Sequence, residues 1–248
     1  MSKLTRDENG IGQVLIIVLI VIVLAVAGGV VWKLTKKNSN TNTSSTTTSA
    51  TASKPAISSA CLKSFNDNSL CAFAEHTNIN SQQYVATGTA TTATGATSTF
   101  TVQNDGKGNT EVAYGSSGKQ ISSISLDGVT YIQEGAGTTW LEYSSASLGQ
   151  AAAAPNPTSG FNLNFTTTTP AGVTVTKQGT AACGALSCNK YKVVVAATPG
   201  ATQYVYFDSK DYMLRQWTSS DPSTGINVNL TFSYPSVTIT KPSPVQQI

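Results

Sequence analysis

The chain has 248 residues, of which 11% are charged, and a formal net charge of +3. Its basic residues are scattered rather than gathered on a face, which excludes nucleic acid as an expected partner. Charge this sparse, with abundant Thr, Ser, Ala and Gly, suits a β-rich extracytoplasmic domain better than a cytosolic enzyme, and the length allows one domain with accessory segments.

Residues 1–10 form a short tail, and the run from Ile11 to Trp32 carries no charge. That run is long enough to cross a hydrocarbon core of ~30 Å at about 1.5 Å per helical residue. A signal-peptide core is shorter, so a retained single-pass transmembrane helix over 11–32 is expected, with Trp32 at the interface and Lys33, Lys36 and Lys37 beyond it. The lysines favour a cytoplasmic domain by the count of positive charges. The four cysteines favour export, because disulfides persist in oxidising compartments. We read the domain as extracytoplasmic and the protein as anchored in the cell membrane.

Residues 33–57 read as a Ser/Thr-rich linker: "NSNTNTSSTTTSATASKPA" (38–56) has no apolar period with which to bury a core. The domain itself spans 58–245. Its start, from Cys61 to about His76, spaces Leu62, Phe65, Leu70 and Phe73 loosely as on a helix, which predicts one or two short helical turns. Four cysteines permit three pairings. The local one, Cys61–Cys71 with Cys183–Cys188, is expected, the second pair stapling a hairpin whose loop is Gly184-Ala185-Leu186-Ser187. Neither pair has the spacing of a common zinc knuckle, and no metal or cofactor is expected.

Beyond residue 76 the period becomes two. "STFTVQ", "FNLNF", "VTVT" and above all "INVNLTFSYPS" alternate apolar with polar side chains, each a strand with one buried face. Asp-Gly in "NDGKGN" (104–109) and "LDGVTY" (126–131) marks hairpins. "GSSGK" (115–119), "EGAGT" (134–138) and "TPGAT" (198–202) are further turns, and "SSASLGQAAAAPNPTSG" (144–160) is a long loop. The fold class is therefore mainly β with a little helix: an antiparallel sheet whose apolar face must be covered.

Several segments together resemble the bacterial lipoprotein-carrier (LolA-like) and mycobacterial lipoprotein half-barrels. "DGVTYIQEGAGTTWLEYS" (127–144) is similar to a hairpin whose second strand carries Trp, and "KQGTAACGALSCNKYKVVV" to the following hairpin. "TQYVYFDSKDYMLRQWTSS" (202–220) is similar to the family's strand–turn–strand, and "NVNLTFSYPSVTITKPSPV" (227–245) to its closing strand. The resemblance spans about residues 61–245. It implies a curved antiparallel half-barrel with helices in its mouth, binding a lipid or an acylated partner in a groove for which Phe100, Tyr131, Phe207, Leu230 and Phe232 are the candidate lining. Arg215 stands where the family usually has Pro, and no lipobox precedes Cys61.

Two other readings are open at this level. A pilin-like structural subunit is suggested by Gly10 before the apolar run, although Leu15 stands where pilins carry Glu. The apolar strand faces are also explained by an ordinary core. An enzyme is not expected, since His76 is the only histidine and no nucleophile elbow, zinc-protease motif or phosphate loop is present. Protease added to intact, wall-stripped cells is expected to release a fragment beginning within 38–60. Protection of the whole chain would instead place the domain inside.

Overall fold

Alternating strands separated by turn residues assemble into one open, curved sheet with two short helices on one face. The computed structural model describes residues 57–77, 79–116, 118–135, 137–144, 172–196 and 200–247. The expected membrane span (11–32), most of the linker, the long loop after residue 144 and the strand over 161–165 lie outside the described residues. Among those described, no helix is long and apolar enough to cross a membrane.

Helix α1 (Ser59–Phe65) and helix α2 (Asn68–His76) come first. Then follow β1 (Gln83–Thr91), β2 (Thr97–Asp105), β3 (Thr110–Ser116), β4 (Lys119–Leu126), β5 (Val129–Glu134) and β6 (Trp140–Ser144). The second half contributes β7 (Val173–Cys183), β8 (Leu186–Val195), β9 (Thr202–Asp208), β10 (Leu214–Asp221), β11 (Ile226–Ser233) and β12 (Val245–Gln247). In the sheet the order is β12-β6-β5-β4-β3-β2-β1-β11-β10-β9-β8-β7. Every pair is antiparallel except β12 with β6, which is parallel and departs from the purely antiparallel sheet expected. Two runs of neighbouring strands, β1–β6 and β7–β11, thus meet at the β1–β11 seam.

Local chemistry sets the turns. Asp127 and Gly128 both take positive φ, 51° and 80°, as the favoured two-residue hairpin turn requires, and Leu126 pairs with Val129 across it. In the β2–β3 loop the Asp105 carboxylate accepts from the backbone N–H groups of Lys107 and Asn109 at 2.8 and 3.1 Å. The staple at the β7–β8 hairpin differs from expectation. Its turn is Gly184-Ala185 alone, with Cys183 opposite Leu186 and Cys188 opposite Ala181. Leu186 and Ser187 belong to β8 because the pairing runs to the very end of the hairpin, and the disulfide crosses it diagonally with Cα atoms 5.9 Å apart. Cys61 pairs with Cys71 and ties α1 to α2.

The two faces differ. One carries Phe100, Trp217, Leu230 and Phe232 with Tyr191, Val205 and Phe207, and is packed under the helices as the main core. The other, here called the open face, is covered by described residues toward β4–β6, where the chain after β11 lays Val237 and Ile239 on Ile124 and Tyr131. Strand β11 shows the division, its residues buried and exposed in strict alternation.

Gly88 lies at the seam, opposite both Leu230 and Phe100. A Cβ there would meet the carbonyl oxygen of Asn229 and approach Leu230 Cδ2 to 2.9 Å. Gly88→Ala is therefore expected to cost about 1–3 kcal/mol of unfolding free energy in denaturant titration, as other overpacked sites do. An unchanged midpoint would show that the seam can spread.

Candidate functional site

The helix-covered face is organised around Phe207. Its ring stacks on Phe73 of α2 with centroids 4.5 Å apart and planes 3° from parallel. On its other flank Tyr191 stacks at 5.2 Å and 14°. Tyr84 meets Phe232 at 5.8 Å in a tilted contact. Helix α2 thus inserts an aromatic ring into the apolar face of the sheet, and Leu70 and Ile79 extend the same contact.

Why this helix lies here follows from its ends. Asp67 is the N-cap of α2: its Oδ1 accepts from the N–H groups of Ser69 and Leu70 at 2.9 and 3.0 Å. Its Oδ2 faces Lys177 Nζ of β7 at 3.4 Å. Burial pushes the carboxyl's pKa up, but the backbone N–H groups, the Tyr191 hydroxyl and Lys177 outweigh it and hold the pKa below its usual 3.8. In turn, burial and then the Asp67 carboxylate push the Tyr191 phenol far above its usual 10.0. At the other end, Thr77 Oγ1 donates to the Tyr212 carbonyl at 2.9 Å, pinning the helix to the β9–β10 turn. Ser58 bonds the Glu75 carboxylate through both N and Oγ. With the Cys61–Cys71 link, the helical pair is a braced unit attached at a few defined points.

The β9–β10 turn is itself held by charge. Arg215 sits at a register shift between Leu214 and Gln216. Its guanidinium reaches Asp208 at 3.4 Å and Asp211 at 2.5 Å, while Tyr234 Oη donates to the Leu214 carbonyl at 2.7 Å. These contacts fix the strand that carries Phe207.

The five expected lining residues do not stay together. Phe100, Phe207, Leu230 and Phe232 share the helix-covered face, exposed by 8%, 0%, 2% and 6%. Tyr131 lies on the open face, where it aligns through Ile124 with Glu111 rather than with Phe100. It packs under Val237 and Ile239, with Lys241 Nζ 5.5 Å from its ring centroid. Sequence alternation on β5 fits either face, so it could not exclude Tyr131. Conversely, Asp67, Phe73 and Tyr191 complete the site. Asp67 was available as an Asp immediately before a helical period. Among the described residues no group of three or more His, Cys, Asp and Glu is placed to hold a metal.

No protein-family model matches the chain, and no curated protein matches it either. Similar folds occur among solved structures. An uncharacterized conserved protein from Thermus thermophilus is 10% identical with a TM-score of 0.42, the alignment covering 71% of this chain and 97% of that one. MucB of the Pseudomonas aeruginosa MucA/MucB complex is 12% identical with a TM-score of 0.39, covering 66% of this chain and 56% of that chain. The alignment thus takes in little more than half of MucB. A LolA superfamily protein from Nitrosomonas europaea is 10% identical with a TM-score of 0.25, covering 66% and 90%.

Because the Asp67 pKa is lower in the folded chain than the ~3.9 of an unfolded Asp, its charge stabilises above that value, and the contribution is lost as pH falls through the folded pKa. Asp67→Asn is expected to cost about 1 kcal/mol at pH 7. The gap between wild type and variant should close in denaturation curves taken below pH 3.8. A gap that is constant with pH would assign the effect to shape rather than charge.

Proposed function

We propose that this is a membrane-anchored extracytoplasmic binding domain that accommodates an acyl chain, from a lipid or an acylated envelope partner, between its apolar sheet face and the α1–α2 unit. The observation that carries the reading is the stack of Phe73 on Phe207 and Tyr191. A large apolar face is covered by two helices of only 7 and 9 residues, so the contact an acyl chain would replace is concentrated on one small element. Displacing it uncovers Phe207, which shares one apolar cluster with Phe100, Leu230 and Phe232. The resemblance of residues 61–245 to lipid-carrier half-barrels supports the same reading. No step of chemistry is required of it, and the role is binding rather than catalysis.

The near-complete burial of the same four side chains favours a second reading, a stalked structural domain whose aromatic face is ordinary core. Photolabelling separates the two. The full chain in nanodiscs, exposed to a photoactivatable fatty acid, should be labelled on peptides from β2, β9 and β11. Phe73→Ala should raise that labelling while costing no more than the about 3–5 kcal/mol of a buried Phe truncation. Labelling confined to residues 11–32, in wild type and variant alike, would leave the structural reading.

A further inference from the structure

The open face carries a second pattern that the acyl-chain reading does not use. Across the β1–β2 pair, Thr87 stands opposite Thr101, Thr89 opposite Thr99 and Thr91 opposite Thr97. Strand β11 continues these rows with Thr231, Asn229 and Asn227, and β10 adds Gln216, Thr218 and Ser220. All of these side chains are exposed or half-buried. Four adjacent strands therefore present three rows of hydroxyls and amides with no charged side chain among them. Neighbours are about 4.8 Å apart across strands and roughly 6.6 Å apart along them. Some are already fixed in place: Thr87 and Thr231 share a hydroxyl–hydroxyl bond of 3.1 Å, and Gln216 Nε2 donates to Asn229 Oδ1 at 3.0 Å.

Beside this array, on β9, Tyr204 aligns with Thr218 and Tyr206 with Gln216. Both rings are half-buried on the same face, and Lys190 Nζ lies 4.3 and 5.5 Å from their centroids. A wet sheet face ordinarily carries mixed charges that maintain solubility. Within the rows they are replaced by groups that each donate or accept hydrogen bonds, or do both, and by two amphipathic aromatic rings; the adjacent charges are Lys190 and Lys192 of β8, which align with Tyr206 and Tyr204 at the edge of the array.

We propose that this face docks a neutral polyhydroxylated polymer, a glycan chain. Charge complementarity selects the occupant. A polyanion would be met by Arg or Lys within the rows themselves, whereas Lys190 and Lys192 stand only at the β8 edge, and a protein partner would be met by exposed apolar anchors. Leu186, away on the β7–β8 hairpin, is the only exposed large hydrophobic residue among those described. A glycan offers uncharged donors and acceptors in two dimensions, and apolar sugar faces that stack on tyrosine. The surface lies across the sheet from the acyl-chain site and does not depend on it.

The test is affinity electrophoresis of the full chain in detergent micelles through gels containing amylose, mannan or chitin oligosaccharide, with polygalacturonate as the anionic control. At least one neutral glycan should retard the protein. Thr89→Lys combined with Thr99→Lys, and separately Tyr204→Ala, should each weaken that binding about tenfold or more, with unchanged circular dichroism and fatty-acid photolabelling. Thr180→Lys, an exposed position on β7 that aligns with Asn189 rather than with the array, should leave it intact. No retardation by any of the three neutral glycans, retardation by polygalacturonate alone, or binding undiminished in the array variants would overturn the proposal. So would loss of self-association, rather than of glycan binding, in those variants.

Discussion

A single sheet must bury one face, and in this protein the covering of that face by α2 is the contact on which the remaining structure depends. Burying a Phe-sized side chain contributes about 1.5–3 kcal/mol, and Phe207, Phe100, Phe232, Leu230 and Trp217 all sit on the same side. Only α1, α2 and the short segment after them are available among the described residues to exclude water there. The cover has therefore to be placed accurately, and its ends are fixed by Asp67, Thr77 and the Cys61–Cys71 link.

The opposite face solves a different problem at each end. Toward β4–β6 the chain after β11 crosses it and finishes as β12 against the edge of β6, with Lys241 bonded to Glu142 at 3.1 Å. This covers Ile124 and Tyr131 and pairs an edge that would otherwise present unmet backbone groups. Toward β1, β2, β10 and β11 the face stays open, and its threonines and amides need no cover. At the far edge β7 is, among the described residues, paired on one side only. Its register shift at Lys177/Gly179 and its largely exposed side chains are devices that discourage further strand pairing.

Much of this was legible in the sequence where one face is wet and the other dry. Strand β11 is the clearest case, since each of its residues reports its face through its chemistry. The Asp-Gly hairpin at 127–128 was equally plain. Tyr131 was not, because β5 carries apolar side chains toward both faces, Val129 and Tyr131 on one and Ile132 on the other, so alternation does not distinguish them. Its side is set by pairing register with β4, a non-local property. The β7–β8 hairpin misled for a related reason: a four-residue spacing between cysteines fits a four-residue loop, but continued strand pairing tightened it to two. The parallel β12–β6 pair depends on residues about a hundred positions apart, which no local pattern announces.

Amide hydrogen exchange on the full chain in nanodiscs, with and without saturating oleate, tests most directly whether the helical cover is a displaceable element. The account predicts faster exchange in α1 and α2 on adding oleate, with the β1–β11 seam unchanged or slower. Identical exchange in α1 and α2 with and without oleate would contradict it, and would make the Phe73–Phe207 stack part of a permanently sealed core.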